Sequence, residues 1–295
     1  MRMIQKSTLL LFLAGFSMTA QIKGTIKDSL SGKPIPYVNI WVVNENIGTT
    51  SEENGEFTLN VTDKDKTLLF SALGFEKKTI KASQEMKVAL KPIAYQLDEV
   101  VVAPQRLETK EQEIGQTENK IYQAFDNGPR IDTKYFPYNS TYRKTRFIKQ
   151  VSIQTDSKIT DAILKIHFYG VDPNGYPGEE LLDKDFIVTV KKGVRKNTFD
   201  VTELNLTIPK KGLFVGFEKL IIERNKTEKT VTDLNTNKTQ IQKAYAPFVL
   251  YGRTERTFLF TFSGGKWIKK TKSDTEDPQQ RIKISEPAIN LVLTN

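Results

Sequence analysis

His167 is the sole histidine and the chain contains no cysteine; together these bound the available chemistry before any element is placed. A zinc protease needs paired histidines, a thiol nucleophile or thiolate metal site needs cysteine, and a His-dependent triad would have to rely on this one imidazole. His167 sits in AILKIHFYG, residues 162–170. On a strand it shares a face with Lys165 and Tyr169, opposite Leu164, Ile166 and Phe168. The expectation is an exposed strand residue rather than a catalytic base. No phosphate-cradling glycine loop and no nucleophile elbow is present.

Carboxylates are harder to dismiss, because a glycosidase needs only two at the right separation in space, which spacing in sequence does not reveal. Glu179, Glu180, Asp183 and Asp185 come just after the Pro177-Gly178 turn. They read first as a charged loop. Joined by Asp172 and Asn174 they could also hold a structural calcium ion, which takes roughly six to eight oxygens. The order of a helix-loop-helix calcium site is missing, and the expectation is a chain without a cofactor. A sugar platform asks for aromatics beside hydrogen-bonding groups. Trp267, Trp41, Tyr169 and Tyr176 are the candidates for glycan binding, each with a competing role as a packing residue.

These residues are positioned by strands. Val38, Ile40 and Val42 alternate with Asn39, Trp41 and Val43, and Phe57, Leu59 and Val61 alternate with Thr58 and Asn60, the two-residue period of a half-buried strand. Ser31-Gly32-Lys33-Pro34 and Glu53-Asn54-Gly55 supply turn chemistry between them. About seven strands fit into residues 21–102, a density that suits a small sandwich. From Tyr135 onward the chain again reads as about eight or nine strands, with Phe186, Val188 and Val190, and Phe258, Phe260 and Phe262, expected to line an inner face. Two packed antiparallel sheets, a jelly roll, are the natural outcome. Between the two β regions, residues 103–134 are polar and aliphatic-poor, a linker with room for one short helix near 118–125.

The first β region resembles a known family. Gly24, Asp28, Gly32, Pro34, Val38, Gly48, Thr49, the run Asn54-Gly55-Glu56-Phe57-Thr58-Leu59, the run Leu69-Phe70-Ser71 and the pair Gly74-Phe75 look like the carboxypeptidase-regulatory-like domain. That resemblance implies a prealbumin-like β-sandwich in an exported or outer-membrane protein of a Gram-negative bacterium. Phe75 departs mildly from the family, which usually has tyrosine there. LDEVVV at 97–102 resembles the segment that succeeds this domain in starch-utilisation-type TonB-dependent receptors. Only 193 residues lie beyond Val102, fewer than the roughly 220 that 22 membrane strands would need. A final strand or module boundary is therefore expected over a working TonB contact. The second region more weakly resembles a jelly-roll-like domain that accompanies the regulatory-like module, and no catalytic motif transfers with it.

The fold class is thus all-β, a seven-stranded prealbumin-like sandwich plus a jelly-roll-like sandwich. The expected divisions are a signal peptide at 1–20, the first sandwich at 21–102, the linker at 103–134 and the second sandwich at 135–295. Arg2 and Lys6 precede an apolar run from Leu9 to Phe16 that is too short to span a bilayer, which is the pattern of a signal peptide. Without that segment the formal charge falls from +9 to +7. Residues 21–129 carry 13 basic and 16 acidic groups, and residues 130–295 carry 29 and 19. The second half is the basic one, and its lysines read as solvated charge at strand ends rather than as an anion-binding surface.

The function expected from these readings is that of a non-enzymatic binding or scaffolding protein of the periplasm or outer-membrane surface, contacting a glycan or an envelope protein. No nucleic acid partner and no transmembrane segment after the signal peptide are expected. The rivals are a glycan-active enzyme with a converging carboxylate pair, and a TonB-linked outer-membrane accessory protein.

Overall fold

The computed structural model describes residues 20–61, 65–93, 110–116, 122–124, 128–232, 239–254, 258–271 and 284–295. The signal-peptide stretch before Ala20 and the LDEVVV run lie outside them. The described chain is nearly all β and forms two sandwiches.

In the first, a three-stranded sheet of order β4 (Glu56–Val61), β1 (Ala20–Asp28), β7 (Glu85–Leu90) faces a four-stranded sheet of order β3 (Gly48–Thr50), β2 (Asn39–Val42), β5 (Thr67–Ser71), β6 (Lys78–Lys81). The pairs are antiparallel except β1 with β7. Alternation does the building. Phe57, Leu59 and Val61 of β4 and Met86, Val88 and Leu90 of β7 turn inward, and meet Ile40, Val42, Leu68 and Phe70 in one core. The Asn54-Gly55 turn takes the expected form, with Gly55 at φ +77°. Strand β2 breaks the half-buried pattern, because all four of its residues are buried. Ile40 and Val42 point into the core, while Asn39 and Trp41 point out against the second sandwich.

The second, jelly-roll-like sandwich has two seven-stranded sheets. One runs β13 (Pro177–Glu180), β12 (Ala162–Val171), β16 (Leu213–Lys219), β10 (Ile131–Phe136), β20 (Phe258–Ser263), β21 (Lys266–Thr271), with β14 (Phe186–Val190) also paired to β12. The other runs β22 (Ile284–Pro287), β19 (Phe248–Thr254), β11 (Phe147–Ser157), β23 (Ile289–Thr294), β8 (Glu111–Ile114), with β15 (Gly193–Asp200) on β11 and β9 (Tyr122–Ala124) on β19. A two-stranded hairpin of β17 (Lys226–Thr232) and β18 (Thr239–Tyr245) stands apart. Leu164, Ile166, Phe168, Val151, Ile153, Val215 and Leu291 fill the space between the sheets.

The stretch expected to be a linker with a short helix is different. It supplies β8, β9 and most of β10, and Tyr122–Ala124, inside the expected helix, is strand. β8 is a polar edge strand, recognisable only through its partner β23. β10 was hidden by its own charges. Asp132 and Lys134 are buried on it, Asp132 held by Arg130 at 2.7 Å, by the Thr261 hydroxyl at 2.6 Å and by the Tyr251 hydroxyl, and Lys134 paired with Glu286 at 3.0 Å. A core strand that buries paired ions reads as polar chain. Strands β13, β17 and β18 were likewise not legible, being short or polar on both faces.

Candidate functional site

The two sandwiches meet through the outer face of the β2–β5 sheet and the outer face of the sheet built on β12. Along β12 the outer residues are Lys165, His167 and Tyr169, which in register stand beside Glu218, Gly216 and Phe214 of β16. Polar bonds tie the surfaces together: Lys165 Nζ donates to the Tyr37 carbonyl at 3.1 Å, Ile221 N to Thr50 Oγ1 at 3.1 Å, Glu223 N to Glu52 Oε1 at 2.8 Å and Ser263 Oγ to Asn46 Oδ1 at 2.8 Å. Trp41 docks edge-on to Phe262 with ring centroids 5.9 Å apart.

The surfaces do not close completely. A cleft of about 560 Å³ remains between them, a size typical of small-molecule sites. Asn39, Ser71, Leu73 and Phe75 line it from the first sandwich, and Lys165, His167, Tyr169, Glu180, Asp185 and Trp267 from the second. It has a polar end and an aromatic end. At the aromatic end Trp267 stands 5.3 Å from Tyr169 and 5.2 Å from Phe262 by ring centroids, both edge to face.

In the middle lies an ion cluster. His167 Nδ1 is 2.8 Å from Glu180 Oε2, and Nε2 is 3.0 Å from Glu218 Oε2. Glu180 also accepts the Phe168 N–H at 2.7 Å and a bond from Tyr169, while Glu218 takes a further bond from Asn39. Burial by itself would push the imidazole pKa down, but the charge and hydrogen bond of Glu180, then those of Glu218, outweigh it and hold it up at about 9. Burial likewise opposes the charge on Glu218, yet Lys165, then His167 and Asn39, keep its pKa below the usual carboxylate range. His167 is therefore an imidazolium clamped between two carboxylates. Lys165, whose pKa stays raised against burial chiefly through Asp185, pairs with Asp185 Oδ2 at 3.0 Å.

His167 was expected to be exposed; it is 7% exposed. The face assignment holds, with Lys165 and Tyr169 beside it, but that face is covered by the first sandwich. The converging carboxylates that a glycosidase would need do exist in Glu180 and Glu218. Both accept from the single His167 ring, and Lys165, then His167 and Asn39, hold the Glu218 pKa below the usual carboxylate range. Three of the acidic residues set out for calcium are engaged otherwise: Asp172 Oδ1 accepts from Asn174 N and Tyr176 N, Glu180 from His167 and Asp185 Oδ2 from Lys165. Among the described residues no group of three or more carboxylate or histidine side chains converges as a metal site.

All four aromatic candidates fall into one cluster. Trp267 and Tyr169 line the cleft. Trp41 is 2% exposed, closed in by Phe262, and Tyr176 packs on Phe260 at 4.7 Å outside the cleft. The sequence missed Asp185 as a cleft residue and Glu218 altogether. The one available signal was that Glu218 falls in a continuous apolar run, LFVGFEK, where a charge needs a partner.

Known proteins share parts of this chain. Residues 22–102 match the family model described as CarboxypepD_reg-like domain, the family that the residues from Gly24 to Phe75 resemble. TonB-dependent receptor P3 of Formosa agariphila is 36% identical over 104 residues, which is 33% of this chain and 10% of that protein. The chain thus spans about a tenth of the length of this curated relative. Among solved structures, a DUF3823 family protein from Bacteroides ovatus aligns over 79% of this chain and 95% of its own at 10% identity and a TM-score of 0.21. Infectious bursal disease virus, Gx strain, aligns over 93% of this chain and 63% of its own at 11% identity and a TM-score of 0.24. Both likenesses are too distant to add to the architecture. Among the described residues no helix is long and apolar enough to cross a membrane.

Proposed function

We propose that this chain is a non-enzymatic binding protein of the Gram-negative cell envelope and that it holds a glycan in the cleft between its two sandwiches. The cleft carries the reading. It offers an aromatic end at Trp267 and Tyr169 for the apolar face of a sugar ring and, about 13 Å away at four strand residues, a polar end at Lys165 and Asp185. Binding without turnover is supported by the locked state of the Glu180–His167–Glu218 cluster. The envelope assignment is supported by the signal-peptide pattern of the first 20 residues and by the regulatory-like match and the receptor relative, neither of which is named for a catalytic activity.

A glycan array and an affinity pull-down from solubilised host envelope, run on the same purified chain, test it. Glycan binding that disappears in Trp267→Ala is the expected result. Recovery of a specific envelope protein with no glycan bound would overturn the glycan reading in favour of a protein scaffold.

A further inference from the structure

We propose that one end of the second sandwich docks on a bilayer that carries anionic phosphate headgroups, at a site separate from the cleft and independent of what the cleft holds. From sequence alone the lysines of the second half read as solvated charge at strand ends. In the fold, five of its cations come to one end and are joined there by exposed apolar side chains.

Two segments build that end. Residues 137–147 lead out of β10 through a short 3₁₀ helix, Ser140–Lys144, into the start of β11, and residues 201–212 run from the end of β15 to the start of β16. They are tied to one another and to β10: Phe147 bridges Thr207, Ile148 N donates to the Leu206 carbonyl at 2.8 Å, and the Tyr135 hydroxyl donates to the Lys211 carbonyl at 2.8 Å. Together they carry five basic residues, Arg143, Lys144, Arg146, Lys210 and Lys211, and one acidic residue, Glu203.

All five cations are exposed. Among the described residues no carboxylate pairs with any of them; the surface ion pairs of this sandwich are Lys149 with Glu111, Lys196 with Glu113 and Lys226 with Glu223. The carboxylates at the border are engaged, Glu111 by Lys149 at 2.5 Å and Asp200 by the Thr202 N–H at 2.8 Å. Arg146 rests over the Phe147 ring, 4.7 Å from its centroid.

The apolar groups decide the kind of partner. Tyr138 and Leu204, one from each segment, are each 37% exposed. Tyr138 stands edge-on to Tyr142 at 6.4 Å, and Tyr142 packs on the sandwich core. An acidic glycan or a nucleic acid would answer the cations and leave Leu204 in water. A bilayer surface answers both, with phosphates for the lysines and arginines and the headgroup–acyl boundary for tyrosine and leucine.

Vesicle co-sedimentation tests this with the purified chain from Gln21, so that the apolar run Leu9–Phe16 adds no lipid affinity of its own. Binding is expected to vesicles of phosphatidylcholine with phosphatidylglycerol, to fall as salt is raised, and to be absent with phosphatidylcholine alone. Two charge reversals at exposed positions, Lys144→Glu with Lys211→Glu, should weaken it roughly tenfold or more. The same change at the other end of β11, where Ser157 pairs with Gly193 just after exposed Lys191 and Lys192, supplies the control: Lys191→Glu with Lys192→Glu should stay within about twofold of the parent chain. Leu204→Ser should cost roughly fivefold with every charge intact. No binding to anionic vesicles, equal binding to neutral ones, or equal losses in the two double variants would overturn the proposal. A Leu204→Ser chain that binds as the parent does would overturn the lipid assignment.

Discussion

Raising the pH should unlock the buried cluster at a predictable cost. His167 titrates near 6.5 in an unfolded chain and is held up at about 9 in the fold. Because the folded value is the higher one, its contribution to stability is fully present below about pH 6.5 and is lost as pH rises through 9. The shift of about 2.5 units, at roughly 1.36 kcal/mol each, corresponds to about 3 kcal/mol. Glu218 is held low, and Lys165 and Tyr169 are held above their ordinary values, so these three neighbours do not titrate between those limits. Urea unfolding at pH 6, 8 and 9.5 should show the loss, and His167→Gln should remove the slope while destabilising the chain at neutral pH, since Glu218 is then buried with less compensation. As the sole histidine, His167 gives a single imidazole resonance whose midpoint is read directly. A midpoint near 6.5, or an unchanged pH slope in His167→Gln, would refute the reasoning.

Further consequences are open to test in the same way. Trp41→Ala should cost roughly 3–5 kcal/mol and split thermal unfolding into two transitions, since each sandwich keeps its own core while their contact at Phe262 is lost. Gly24→Ala should destabilise by roughly 1–3 kcal/mol in urea unfolding, because its Cβ would come within 2.6 Å of both the Met86 carbonyl and the Phe57 ring. Asn225→Ala should cost roughly 2–4 kcal/mol and raise amide exchange at Ile163, as the buried amide of Asn225 donates to the Ile163 and Leu220 carbonyls and accepts from Ile163 N.

How much of this was legible depended on what each strand buries. β4 and β7 could be read directly, because one face meets an apolar core and the other meets water. The resemblance carried by Gly24 to Phe75 was legible for a related reason, its glycines falling where turns and close strand contacts require them. β12 gave its two faces correctly but not their fate. Lys165, His167 and Tyr169 look solvent-facing until a second sandwich is laid over them, and a contact between distant segments leaves no local period. β10 was missed because its buried side chains include Asp132 and Lys134, satisfied by neighbouring Arg130 and by Tyr251, Thr261 and Glu286 from remote positions. The candidate site shares that limit. Trp267 and Tyr169 could be nominated by type, but their meeting with Asp185 and Glu180 in one cleft is a property of sandwich docking.

The central claim is that ligand enters the cleft between the sandwiches. The chain has only two tryptophans, Trp267 lining the cleft and Trp41 closed in behind it, so their indole N–H resonances separate the site from its support. Titrating an oligosaccharide retained on the glycan array should move the Trp267 indole and the His167 imidazole together to saturation while Trp41 shifts far less. Saturable binding that leaves Trp267 and His167 unmoved would place the ligand elsewhere and contradict the account.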